Sequence, residues 1–296
     1  MEPTPPRATG GLALGIGAYT FWGILPLYLW LLKSVPAEQV LAQRVLWSVA
    51  LLAVVILLLR RGRAVLAAAR GRTLLLLIGS ATMIALNWLI YIWAVQHSHV
   101  LEASLGYFIN PLVNVALGMM VLGERLRRVQ GVAIGIAAAG VTVMAVSDGG
   151  AIWIALSLAV TFGLYGLLRK VVAIDALGGL AIETLLLAPF AIALLVYANH
   201  SGTNVWGTSL RLDLLLALAG VVTAAPLLMF AAAARRMPLS TIGLLQYIAP
   251  TIQFVLAILV FGEPLRNVHL LTFALIWTGC ALYAWDSIRA MREVKI

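Results

Sequence analysis

An all-α integral membrane bundle is the fold class this sequence predicts: ten transmembrane helices, arranged as two inverted five-helix repeats with both termini cytoplasmic. Three observations lead there. The composition is too apolar for water, the apolar runs are long enough to cross a bilayer, and one half of the chain maps onto the other across an odd number of runs.

The 296 residues are 63% hydrophobic and only 10% charged, whereas soluble domains are about half apolar and about a quarter charged. Most of such a chain needs lipid as its solvent. The net charge of +9 raises nucleic acid as a partner, but the basic residues lie in short clusters between apolar runs, with no stripe or patch. Nucleic-acid binding is therefore not expected. Cys280 is the one cysteine, so no internal disulfide forms. Met1 to Thr9 carries three prolines and nothing like a cleavage site, so the first apolar run is expected to remain in the membrane.

A spanning helix needs roughly 20 mostly apolar residues. Reading between polar breaks places spans near 10–32, 37–59, 73–96, 100–122, 129–147, 151–168, 177–199, 212–234, 239–261 and 268–288. With the N-terminus inside, the cytoplasmic side collects Arg7, the cluster from Arg60 to Arg72, Arg125, Arg127 and Arg128. It also collects Arg169, Lys170, Arg235, Arg236, Arg289, Arg292 and Lys295. Only Lys33, Arg211 and Arg266 fall outside, while Arg44 lies within a span. This is the asymmetry of the positive-inside rule, and a missed span would scramble it. Localisation at the inner (cytoplasmic) membrane of a cell follows, with the lipid bilayer as the main partner.

Gly123-Glu124-Arg125-Leu126-Arg127 matches Gly262-Glu263-Pro264-Leu265-Arg266 at a shift of 139 residues. The same shift carries Ile109 onto Ile248, Pro111 onto Pro250, Gly140 onto Gly279, Tyr91 onto Phe230 and Ala94 onto Ala233. The expected units are a tail at 1–9, a first repeat at 10–148, a second at 149–288, and a tail at 289–296. A unit with an odd number of spans, placed twice in tandem, crosses the membrane in opposite senses. Such inverted repeats are the architecture of alternating-access carriers.

The block Leu101-Glu102-Ala103-Ser104-Leu105-Gly106-Tyr107-Phe108-Ile109-Asn110-Pro111-Leu112 resembles the signature of RarD-type permeases, in the EamA group of the drug/metabolite transporter superfamily. Tyr19-Thr20-Phe21-Trp22-Gly23, Arg44-Val45-Leu46-Trp47, Asn87-Trp88 with Trp93-Ala94-Val95, Ile182-Glu183-Thr184 and Gln246-Tyr247-Ile248-Ala249-Pro250 are similar to it too. The likeness covers nearly the whole chain, apart from the proline-rich start and the loop at 200–211. It implies two EamA repeats, cytoplasmic ends, and a central cavity facing one side at a time. The family carries a chloramphenicol-permease label, a weak guide to natural substrate.

Proline in a membrane helix frees the carbonyl four residues earlier, so Pro111 and Pro250 are hinge candidates. Tyr107, Asn110 and Asn114 share a helical face, and Gln246 and Gln253 occupy the matching places. They line a cavity, or serve as hydrogen-bonding glue between helices. Arg44 and Glu183 are repeat-matched charges within spans, where charge is costly and faces a cavity or a partner. Arg44 attracts an anionic group and Glu183 a cation or proton, or each snorkels or pairs locally. Asn87 and the deep aromatics Tyr19, Trp22, Tyr91, Tyr165 and Tyr247 complete the cavity candidates; they stack on substrate or pack against helices. Glu102 and Glu183 are proton-coupling candidates, with the bland alternative for Glu102 being an acidic residue favoured by a helix N-terminus. His99 and Glu102 are too few ligands for a metal site. The GxxxG face at Gly131 and Gly135 permits close approach within the fold or between subunits, so monomer and homodimer both stay open.

No phosphate-binding GxxxxGK[ST] loop and no catalytic cluster occurs, so neither ATP nor a cofactor is called for, and no enzyme activity is expected. The expected function is a secondary transporter of small metabolites or drugs, with export the favoured direction. Alternatives are a passive facilitator or uniporter and, further off, a lipid scramblase or membrane-embedded enzyme.

Overall fold

Away from water, an apolar segment can satisfy its own backbone N–H and C=O groups only as helix or closed barrel. The computed structural model describes residues 8–122, 127–147, 152–234, 236 and 245–293, and the regular structure among them is helical. In order these are α1 (Ala8–Leu31), α2 (Ala37–Leu58), α3 (Gly62–Ala68), α4 (Gly71–Gln96), α5 (Val100–Leu122) and α6 (Arg128–Ser147). Then follow α7 (Ile152–Val171), α8 (Ala176–His200), α9 (Leu210–Ala234), α10 (Ile248–Leu259) and α11 (Asn267–Glu293). Nine are long and apolar enough to cross a membrane, and the protein is a multi-pass membrane protein.

Two differences from expectation have clear causes. Of the ninth span, expected over 239–261, residues 245–261 are described, and they hold the 12-residue helix α10 with a break just before it. Leu245 is helical, Gln246 and Tyr247 form a turn, and helix resumes at Ile248. Pro250 has no N–H to return to the Gln246 carbonyl, so it sits comfortably in the first turn of a new helix, not inside an old one. By contrast α5 runs unbroken through Pro111, and Pro26, Pro189 and Pro226 also lie inside helices. The second difference is α3, in what reads as a polar loop: Val65 is buried and anchors it. The final helix also continues to Glu293, through most of the expected tail.

Helices of the two halves pack mostly on each other. α2 lies against α8 and α9, α1 against α9 and α10, α4 against α7 and α8, α5 against α7, and α6 against α11. Exchanging α1, α2, α4, α5 and α6 for α7, α8, α9, α10 and α11 turns this set of pairings into itself. The α6–α11 contact is close because a Cβ on Gly279 would stand 2.6 Å from the Ala133 carbonyl oxygen, and one on Gly140 3.1 Å from that of Thr272. These two glycines are repeat-matched. The GxxxG glycines Gly131 and Gly135 instead have nothing within 4 Å, so that motif makes no close contact among described residues. Large apolar side chains such as Leu57, Phe190 and Tyr197 cover the outside, as expected where lipid replaces water. The loop at 123–126, with Glu124, lies outside the described residues, as does 237–244.

Candidate substrate pathway

Helix α4 organises the interior. Ser80, Ile84, Asn87, Trp88 and Tyr91 recur at helical spacing and are all buried. They form a partly polar stripe about 16 Å long at 1.5 Å per residue, and its members meet α2, α5, α7 and α8.

Arg44, about two turns into α2, is buried. Its Nε donates to Thr223 Oγ1 on α9 at 2.7 Å, and that hydroxyl donates in turn to the Ala219 carbonyl. The guanidinium lies over the Trp88 ring, 4.3 Å from its centre. Tyr28, Tyr91 and Tyr107 are its electrostatic neighbours. Among described residues no carboxylate comes within 4 Å of it.

Glu183 on α8 is fully buried and differently placed. Ser80 Oγ donates to its Oε1 at 2.6 Å, the Tyr165 hydroxyl approaches Oε2 at 3.4 Å, and Arg169 Nη1 lies 3.7 Å from Oε1. Arg169 reads in sequence as part of a loop cluster. It occupies the last turn of α7, where helix carbonyls favour a cation, and turns inward with its Nη2 donating to the Asp175 carbonyl. It fits only because residue 179 is glycine: a Cβ there would overlap the guanidinium. Asp175 caps α8 by accepting from Gly178 N and pairs with Arg61 at 2.7 Å. Arg44 and Glu183 thus have separate partners: each has one hydrogen bond to the opposite half of the chain, while Tyr165 and Arg169 of its own half also approach Glu183.

The amide candidates are knitted into helix contacts. The Tyr107 hydroxyl donates to Asn87 Oδ1 at 3.2 Å, while Asn87 Nδ2 donates to the Leu158 carbonyl and to Thr161 Oγ1. Asn110 Nδ2 reaches the Ala159 carbonyl at 3.4 Å, and Asn114, exposed, donates to Asn110. Gln253 on α10 donates to the Trp22 carbonyl, leaving its buried Oε1 without a partner among the described residues. Tyr19, Trp22 and Phe230 form an edge-to-face cluster between α1 and α9. Tyr247 stacks on Phe108, and the Pro250 carbonyl accepts from Ser104. Gln246 is half-buried in the turn before α10.

At the opposite end from Arg61, Glu263 does something the sequence did not disclose. Its two carboxylate oxygens accept from the Val100 and Leu101 amides at 2.7 Å each, joining the loop before α11 to the N-terminus of α5. Burial, opposed by those amide bonds, pushes its pKa up to about 7. Glu102 is buried nearby, with His99 Nδ1 3.5 Å away. No group of three or more metal-ligating side chains occurs among the described residues. A groove of about 540 Å³ runs between α1, α9 and the end of α10, lined by Phe21, Tyr28, Leu215 and Phe261. It is apolar and does not include Arg44; Tyr28, whose hydroxyl donates to the Leu215 carbonyl, belongs to both surroundings.

The EamA-like transporter family model matches this chain twice, over residues 9–146 and 149–285. The chain belongs to the EamA-like transporter family. A protein named as an uncharacterised transporter in Vibrio cholerae is 45% identical over 98% of this chain and 97% of its own length. The RarD protein of Escherichia coli K12 is 44% identical over 96% and 97%. A solved crystal structure at 19% identity superposes with a TM-score of 0.61, covering 95% of this chain and 99% of its own, and shows the shared fold. The twofold family match agrees with the shift of 139 residues read from the sequence. What the EamA pattern did not reveal is the set of partners. Ser80, Thr223 and Arg169 become site residues only through packing, although lone hydroxyls in apolar spans were a visible hint.

Proposed function

We propose that this EamA-family protein is a secondary carrier that exports small amphipathic metabolites or drugs across the bacterial inner membrane by alternating access. In this reading the two five-helix repeats are inverted and both termini are cytoplasmic. The observation that carries it is reciprocal: Arg44 of the first half bonds Thr223 of the second, and Glu183 of the second half bonds Ser80 of the first. A rocking motion of one half on the other has to remake both contacts, so substrate or protons binding at either biases the equilibrium between states. Arg44, Trp88 and Tyr91 serve substrate, Glu183 and Glu102 exchange protons, and the break before Pro250 with the helix at Pro111 supplies the hinges. The bacterial relatives and the basic clusters at one set of helix ends support the membrane and orientation.

Two experiments test this. Cysteine labelling at residues 124 and 265 in intact cells and in inverted vesicles should place them on opposite faces; a common face ends the inverted-repeat scheme. Uptake by proteoliposomes against a metabolite panel, with and without a pH gradient, should show saturable flux. A pH-gradient dependence supports proton coupling, and its absence supports passive facilitation.

A further inference from the structure

Arg44 has more hydrogen-bonding capacity than the described protein uses. A guanidinium carries five N–H donors, yet its hydrogen bonding among described residues is the single Nε bond to Thr223. Its terminal nitrogens have no hydrogen-bond partner among the described residues. Two more donors are stranded close by. The Tyr91 hydroxyl, an electrostatic neighbour of Arg44, is enclosed and unpartnered. So is that of Ser48, one turn along the same face of α2. Tyr28 and Tyr107 already spend their hydroxyl protons on Leu215 and Asn87.

Buried polar groups are rarely left unpaired without reason. Here the unpaired set includes a permanent cation and the hydroxyls of Ser48 and Tyr91, with Trp88 against the cation and Tyr107 against Tyr91. We propose that Arg44, Ser48 and Tyr91 form the anion subsite for an organic monocarboxylate whose planar apolar body lies against Trp88 and Tyr107. The proposal rests on the carrier reading above and names its substrate class.

The charge count selects the class. One guanidinium balances one negative charge, and Arg is suited to bidentate carboxylate recognition. A dianion would want a second cation, and a zwitterion a carboxylate for its ammonium group. None of the described salt bridges brings an acidic side chain to Arg44. A cationic substrate would be repelled. The aromatic walls favour a flat body, as Trp88 already does for the guanidinium plane.

Three probes share a body and differ in charge: indole-3-propionate, indole-3-propionamide and tryptamine. Titration calorimetry on the full chain in lipid nanodiscs should show the acid binding at least tenfold more tightly than the amide, and tryptamine not at all. Arg44→Gln should lower the acid to the affinity of the amide while leaving the amide unchanged, which a collapsed fold would not do. Acetate should bind at least tenfold more weakly than the acid; equal affinity overturns the planar body. Equal affinity for acid and amide, preference for tryptamine, or no saturable binding of the acid overturns the subsite. Counterflow of whichever probe binds then tests transport separately: binding without counterflow counts against the carrier, and counterflow of the amide alone counts against the anion class.

Discussion

Replacing Glu183 by Gln is the most informative single change in the interior, because it keeps volume and removes only charge. The side chain is 1% exposed and Arg169 15% exposed, so solvent does little to screen the loss. Removing one member of a buried ion pair costs about 3–5 kcal/mol. Two features reduce that here. The 3.7 Å separation from Arg169 is long for a charge-assisted bond, and Gln can still accept the 2.6 Å bond from Ser80. Weakening that bond from charged to neutral forfeits about 1 kcal/mol, and leaving Arg169 unbalanced adds about 1–2 kcal/mol. The expected destabilisation is therefore about 2–3 kcal/mol, read as a shift in denaturant or thermal unfolding of detergent-purified protein. Arg169→Met should be destabilising too, and the double variant should lose less than the two changes together, with a coupling of at least about 1 kcal/mol. Proteoliposome flux should fall further than membrane insertion does. Strictly additive effects, or a Glu183→Gln cost below about 0.5 kcal/mol, would refute the paired-charge account.

Glu263 makes the protein's stability depend on pH. Its carboxyl pKa is lifted from 4.5 to about 7, so the folded chain keeps a proton that the unfolded chain releases within that window. Stability therefore declines as pH rises from about 4.5 to about 7, by at most about 3.5 kcal/mol at about 1.4 kcal/mol per unit. Unfolding temperatures at pH 5 and 8 should differ less for Glu263→Gln than for the parent; an equal difference removes Glu263 as the source. Gly179→Ala should displace Arg169 from Glu183 and cost about 1–3 kcal/mol as an overpacked contact, and in an Arg169→Met background that cost should vanish in the same unfolding assay. Gly279→Ala should destabilise by a similar about 1–3 kcal/mol through its clash with the Ala133 carbonyl, whereas Gly131→Ala, with open space around it, should be neutral or slightly stabilising.

Sequence alone was enough for everything that depends on solvent and on distance along the chain. Apolar runs place helices in lipid whatever they pack against, so α2, α5 and α8 begin and end within a residue or so of the runs that imply them. A constant shift of 139 residues survives because duplicated segments keep their register. Pro111 and Pro250 lack the same N–H, yet α5 runs through Pro111 while a turn precedes Pro250, so the missing donor alone does not decide a break. Which glycines touch, and which hydroxyl answers which charge, depends on helix rotation about its axis and on partners far away in sequence. Gly131 and Gly135 carry the better motif, yet Gly140 and Gly279 make the contact. Arg169 reads as a loop cation and becomes the partner of Glu183 because Gly179 leaves room above α8. Arg44 and Glu183 look equivalent under the repeat; packing set Arg169 of its own half beside Glu183, while no carboxylate among the described residues comes within 4 Å of Arg44.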